Sequence, residues 1–419
     1  MSTILAYTSP AIGHLYPMTP VLLELRDRGH TVHLRTLSSQ VERMREMGFE
    51  TGPIDPRIEE LPHDDYKAKN SRESLSLASR VFAERGALDG PDYQRAVDEV
   101  GPDLTIVDAF TWGASSVAES LGDPWVSFEP TIPVLDSPGT PPFGLGLAPM
   151  GGPLGSIRDA LVRRVVLGVV EKTQFPPLNL IRTQHGLDPV TTADDLFRRA
   201  PHMLVTTAKP FEYSVTEWGP DIVMIGACAW EPPSEPPDWL EEIDLPIVLV
   251  TTSSEFQDDA ILVRTALEAL ADDPLHVVAT VPAGSADSFP AQPNATVVEY
   301  VPHGHVLGRA AVAITHGGMG ATQKALAHGV PVCVVPFGRD QFEIARRVDV
   351  SDSGTRLPAK KLTAQRLQKA VKTAMTKQAG ARRVAAGYEA AGGAPAGADT
   401  IEQLLSTTDR QNRRQPITD

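Results

Sequence analysis

Short apolar runs alternate along this chain with longer stretches in which apolar residues recur every three or four positions. The first kind predicts buried strands and the second amphipathic helices. Thr3 to Thr8 reads as a strand. Tyr16 to Arg28 reads as a helix with Met18, Val21, Leu22 and Leu25 on one face, closed by Gly29. Thr31 to Thr36, Leu104 to Asp108 and Trp125 to Phe128 are further strands, the last two separated by an Ala/Ser-rich helix. Pro130 to Pro153 is a long Pro/Gly-rich connection, of the kind that is functional or mobile. A proline-dense acidic run, Cys228 to Pro237, interrupts the alternation, which then resumes with strands at Ile247–Thr251, His276–Thr280, Thr296–Glu299, Val312–Thr315 and Val332–Val335. Strand–helix–strand repetition implies parallel sheets covered on both faces. The expected fold is α/β, with two doubly wound, Rossmann-like parallel-sheet domains facing each other across a cleft. The expected division is an N-terminal domain over 1–225, a proline-rich linker over 226–245, a C-terminal domain over 246–395, a C-terminal helix over 396–405 and a disordered tail over 406–419.

Composition narrows the function. A formal net charge of −15 argues against nucleic acid and against an anionic membrane surface as partners. The two cysteines, Cys228 and Cys333, are far apart and suggest neither a disulfide framework nor a metal cluster. The first residues lack the basic segment of a signal peptide, and no apolar run approaches the ~20 residues that span a bilayer. A cytoplasmic protein without stable membrane insertion is expected; a homodimer is left open.

The segment richest in chemistry runs from Ala313 through His316-Gly317-Gly318-Met319-Gly320 to Thr322, and on to Asp340-Gln341. It reads as strand, glycine turn, helix, strand and an acid–amide pair. The turn and the helix N-terminus suit a phosphate, with His316 and Thr322 as further donors. Asp340 and Gln341 suit hydroxyls. Diphosphate at one end and polyol at the other describe a nucleotide sugar. Each feature has a plainer reading: a tight turn, helix capping, a capping pair. His14 alone reads more readily as a loop or N-cap residue than as a base, and Asp108 alone reads equally as an N-cap or as a base's partner. No Gly-x-Gly-x-x-Gly, no Gly-x-x-x-x-Gly-Lys and no Asp-x-Asp occurs. Dinucleotide and P-loop chemistry therefore lose their main support, as does a metal–diphosphate site.

In four motifs, in order, the chain resembles nucleotide-sugar-dependent glycosyltransferases of the GT-B fold, above all the bacterial branch that decorates antibiotics and other natural products. Gly13-His14-Leu15-Tyr16-Pro17 looks like the family's catalytic turn, and Pro102 to Asp108 like its strand ending in a catalytic aspartate. Tyr300-Val301-Pro302-His303 resembles its base-binding turn, and the His316 segment its donor signature. Tyr300 and His303 stand where Trp and Gln are usual, and Lys324 where many relatives carry a ribose-binding Glu. Thr251-Thr252-Ser253-Ser254 stands where relatives often have a glycine, and the hydroxyls of Ser253 and Ser254 suit phosphate oxygens.

The resemblance implies an inverting, metal-independent hexosyltransferase without cofactor. His14, oriented by Asp108, would deprotonate the acceptor. Ser253, Ser254, Tyr300, Val301, His303, His316, Gly317, Gly318, Gly320, Thr322, Asp340 and Gln341 would bind a UDP- or dTDP-sugar. Phe110, Trp112, Phe128 and Phe143 would wall a hydrophobic natural-product or lipid acceptor. The alternatives are a nucleotide-sugar epimerase or hydrolase on the same fold, or a non-catalytic sugar-nucleotide-binding relative or partner.

Overall fold

The computed structural model describes residues 1–254 and 259–412. Seven strands form the first sheet: β1 (Thr3–Tyr7), β2 (Thr31–Thr36), β3 (Glu50–Pro53), β4 (Leu104–Asp108), β5 (Trp125–Glu129), β6 (His202–Val205) and β7 (Ile222–Met224). Six form the second: β8 (Ile247–Thr251), β9 (His276–Thr280), β10 (Ala295–Val298), β11 (Ala310–Thr315), β12 (Val332–Val334) and β13 (Gly354–Arg356). The spatial orders are β3-β2-β1-β4-β5-β6-β7 and β10-β9-β8-β11-β12-β13, with the strand pairs parallel. Central strands such as β4, β5 and β8 are buried along their whole length, which is why their sequences read as continuous apolar runs. Apolar clusters fill both faces of each sheet.

The sheets place the chemistry. In each, the strand order reverses once, between β1 and β4 and between β8 and β11. Chains leaving neighbouring strand ends there diverge and open a crevice, where open α/β sheets bind ligands. His14 follows β1 and Asp108 ends β4; Ser253 follows β8 and His316 follows β11.

The helices that matter are α1 (Ile12–Asp27), α2 (Ser71–Val100), α3 (Trp112–Leu121), α4 (Gly152–Gln184), α5 (Ala260–Ala269), α6 (Met319–Ala327), α7 (Gln341–Val350) and α8 (Gly393–Asn412). Two differ from expectation. α1 starts four residues early, so His14 lies in its first turn rather than in a loop. Its N-cap, Ala11, makes no side-chain cap, so no capping residue marks the start. α8 is longer than 396–405 and takes in the first part of the expected tail; 413–419 lie outside the described residues. α8 docks on the N-terminal domain. Ala398 and Ile401 join the core beside Ile4 and Leu25, and Arg28 pairs with Asp399 (2.6 Å) and Glu402 (2.7 Å). The apolar stretch 161–170 lies in α4, and no helix among the described residues is long and apolar enough to cross a membrane.

Candidate active site

A cavity of about 1500 Å³ lies between the two sheets' strand ends. On the N-terminal side stands a His–Asp pair. Asp108 is fully buried at the end of β4. Its oxygens lie 2.9 and 3.1 Å from Nδ1 of His14 and accept the N–H groups of Ser9 (3.0 Å) and Phe110 (2.9 Å). Burial opposes its charge, but His14 and the two N–H groups outweigh burial and hold the carboxyl below its usual range. Asp108 is not a helix N-cap: α3 is preceded by Thr111. With Nδ1 donating to Asp108, Nε2 of His14 is left as the basic nitrogen. Phe110 packs edge-on against the His14 ring, centroids 4.7 Å apart, and restrains it further.

The expected apolar wall is partly corrected. Phe110, Trp112 and Phe143 line the cavity. Phe128 does not; it is fully buried in the core beside Ile4 and Leu15. Successive residues of a strand face opposite sides, so Ser127 and Glu129 line the cavity and Phe128 turns away. Phe82 of α2 replaces it, 5.9 Å from the Phe110 ring and 5.5 Å from that of Trp112. Nothing in the sequence marks Phe82, because only the packing of α2 on α3 brings it there.

The opposite wall is the turn after β11. Gly317 has φ +96°, a conformation that favours glycine. A Cβ on Gly318 would lie 2.5 Å from Nε2 of His316, so the second glycine lets the imidazole fold over the turn. A Cβ on Gly320 would meet nothing within 4 Å among the described residues, and Gly320 lines the cavity at the start of α6. Burial pushes the His316 imidazole below its ordinary value, so the ring is neutral near pH 7. Thr322 is corrected: it is fully buried, and its hydroxyl lies 3.1 Å from that of Thr315, which accepts the Gly317 N–H. It braces the turn from behind.

Across the crevice, the Ser253 N–H donates to Asp259 (2.7 Å) and Ser254 is exposed. Both line the cavity; the next four residues lie outside the described chain. Tyr300 is 58% exposed and lines the cavity. Val301 is core, its contribution being to anchor the turn. His303 Nε2 bonds to the Thr280 hydroxyl (3.0 Å), and burial drives its pKa down to about 4.

Lys324 is turned toward the linker. It pairs at 2.7 Å with Glu231, which also accepts the N–H groups of His303 and Gly304. Burial works against the Glu231 charge, yet these partners hold its carboxyl below the ordinary range. Glu231 belongs to the proline-rich linker, and sequence offered no sign of it.

Asp340 and Gln341 separate. Asp340 lines the cavity and makes no cap on α7. Burial raises its carboxyl to about 6. Gln341 is buried, and its Oε1 accepts Phe337 N–H (2.7 Å) and Gly338 N–H (3.0 Å), so it shapes the loop. The two walls are tied together: Arg339 makes a forked pair with Asp65 (2.6 and 3.0 Å), and Glu343 accepts Gly144 and Gly146 N–H groups (2.8 Å each). Among the described residues no three His, Cys, Asp or Glu side chains converge as a metal site requires.

Two parallel-sheet domains with this crevice make the GT-B fold, and solved glycosyltransferases of that fold match along the whole chain. The calicheamicin glycosyltransferase CalG4 superposes with TM-score 0.70 at 21% identity, covering 97% of this chain and 99% of CalG4. The spinosyn rhamnosyltransferase SpnG, solved with thymidine diphosphate, gives TM-score 0.70 at 18% identity, covering 96% and 100%. In sequence, the chain is 29% identical over 389 residues to 4'-demethylrebeccamycin synthase of Lentzea aerocolonigenes, covering 89% of this chain and 91% of that protein. Residues 264–405 match the family of the erythromycin biosynthesis protein CIII-like C-terminal domain. The chain is a glycosyltransferase of the natural-product type, carrying that C-terminal domain.

Proposed function

We propose that this protein is an inverting, metal-independent glycosyltransferase that moves a hexose from a UDP- or dTDP-sugar to a hydroxyl of a hydrophobic natural product or lipid. The observation that carries the reading is the His14–Asp108 pair facing, across one cavity, the glycine turn at the start of α6. The acceptor lies against Phe82, Phe110 and Trp112. Nε2 of His14 takes the acceptor hydroxyl's proton, and buried Asp108 stabilises the imidazolium that forms. The acceptor oxygen attacks the anomeric carbon in line, forming the new C–O bond as the C–O bond to the diphosphate breaks. The leaving diphosphate meets the free N–H groups of α6, the positive end of its dipole and His316. Tyr300 stacks on the base. Asp340 takes sugar hydroxyls, and Ser253 and Ser254 meet phosphate oxygens. The ties from Arg339 and Glu343 hold the walls closed against water.

Support for the thymidine nucleotide comes from SpnG, solved with thymidine diphosphate. The deciding experiment screens UDP and dTDP by calorimetry. UDP- and dTDP-hexoses are then assayed with hydrophobic hydroxylated aglycones, and the product's anomeric configuration is read by NMR. A product with inverted configuration is expected. Retained configuration, or donor hydrolysis without transfer in the presence of bound aglycone, would refute the mechanism.

A further inference from the structure

Three neighbouring strands, β1, β4 and β5, end side by side at the floor of the cavity. The partners of Asp108, on the middle strand, are complete. Those of Glu129, the last residue of β5, are not. Glu129 is fully buried and lines the cavity. Its Oε1 accepts both the N–H (3.0 Å) and the hydroxyl (2.7 Å) of Thr131. Its Oε2 is buried with no hydrogen-bond partner among the described residues. Two bonds into one oxygen fix the side chain, so the direction of the other oxygen is set. Leaving a buried polar atom unmatched is costly, and such atoms mark places where something else binds. Phe128 is the register partner of Asp108 across β4 and β5, and adjacent strands lie roughly 5 Å apart. A flat ligand with one group at His14 therefore reaches Glu129 with the next.

The protonation state of Glu129 says what that group is. The ionisable groups facing it are Asp108 on β4 and His14 on α1. Burial raises its carboxyl to about 7, with Asp108 adding to the rise and Thr131 and His14 opposing it. In the acid form Oε1 already accepts two hydrogen bonds, so the proton rides on Oε2. The unmatched atom is then an O–H donor in a cavity that the apolar Phe110, Ile132 and Val134 also line.

We propose that Glu129 reads the acceptor: its Oε2–H donates a hydrogen bond to a carbonyl oxygen adjacent to the nucleophilic hydroxyl, so the site selects hydroxy-carbonyl aglycones. This rests on the reading that His14 receives the acceptor hydroxyl. The same bond draws electron density from the carbonyl and acidifies its neighbouring hydroxyl, which helps proton loss to His14.

Binding rather than turnover tests it, so failure here is distinct from failure of the transfer mechanism. The probes are a hydroxyanthraquinone whose hydroxyl is peri to a carbonyl and the matching hydroxyanthracene, titrated by fluorescence into the full chain, its Glu129→Gln and its Glu129→Ala variants. At about pH 6 the wild type should prefer the quinone roughly tenfold, the worth of one neutral hydrogen bond. At about pH 8.5 that preference should shrink as Glu129 ionises. Glu129→Gln keeps a donor that does not titrate, and should hold the preference at both pH values. Glu129→Ala should lose it at both. A preference that survives in Glu129→Ala, its absence in the wild type, or no binding of either probe would overturn the proposal. Should Glu129→Ala fail to fold, a pH-dependent preference persisting in Glu129→Gln would overturn it equally.

Discussion

Replacing Asp108 by Asn gives the sharpest test of the His14–Asp108 pair, because the structure fixes what the amide must face. Both carboxylate oxygens are acceptors now, one toward Ser9 N–H and His14, the other toward Phe110 N–H and His14. An Asn keeps one acceptor oxygen and must turn its NH2 toward one of the two backbone donors. One buried bond is lost and one buried N–H is left unmatched, a cost of about 1–3 kcal/mol in stability. The catalytic cost is larger. An NH2 facing Nδ1 selects the tautomer with hydrogen on Nε2, which cannot accept the substrate's proton. The buried charge bonded to Nδ1, which stabilises imidazolium at contact, is then gone. Turnover should fall roughly 10³–10⁴-fold, as when a triad aspartate is so replaced. His14→Ala should fall roughly 10²–10⁴-fold, the worth of a positioned general base. The double variant should be little worse than His14→Ala alone, because the two act as one unit. Independent action would instead multiply the losses, to roughly 10⁵-fold or more. Steady-state kinetics on the three variants decides this, with calorimetry of UDP and dTDP as the control for an intact donor side. Near-normal turnover in His14→Ala, or multiplied losses in the double variant, would refute the reasoning. Lost nucleotide binding would make the pair structural.

Tyr300→Ala should weaken UDP or dTDP by ~1–3 kcal/mol in calorimetry, the worth of one base stacked on an aromatic ring, with Tyr300→Trp restoring it; unchanged affinity would remove Tyr300 from the base site. Asp340→Ala should weaken the full donor more than the free nucleoside diphosphate, whereas Gln341→Ala, which releases the Phe337 and Gly338 N–H groups, should weaken both. A chelator should leave nucleotide binding and turnover unchanged, since a helix N-terminus meets the diphosphate; loss restored by magnesium would contradict this. Glu129→Gln should gain stability over the wild type as pH rises. The folded carboxyl titrates at about 7, above its unfolded value, so the wild type carries an ionisation cost that is absent in acid and grows to full size above neutrality. Chemical denaturation at acid and at neutral pH measures the difference, and a pH-independent gap would contradict it.

What the sequence determined by itself was local. Continuous apolar runs, glycine-closed helices and the proline run announced two parallel-sheet domains, because a strand buried on both faces and an amphipathic helix each write their burial into neighbouring residues. The Gly317-Gly318 turn was legible for the same reason: a positive φ and a close approach of His316 demand glycine on the spot. His14 and Asp108 were legible only as candidates. What joined them is the reversal of strand order that sets β1 beside β4, a contact between residues 94 apart. Tertiary structure alone decided the rest. It turned Phe128 into the core and Glu129 into the cavity, since the face a strand residue occupies depends on where its sheet lies. It put Thr322 behind the turn, because a helix position points inward or outward only relative to a neighbour. It brought Phe82 to Phe110, Asp65 to Arg339 and Glu231 to Lys324, the last two pairs 274 and 93 positions apart in sequence, through packing and ion pairs that no local pattern encodes. Local residues dictate which elements form; which side chains share a cavity follows from how those elements pack.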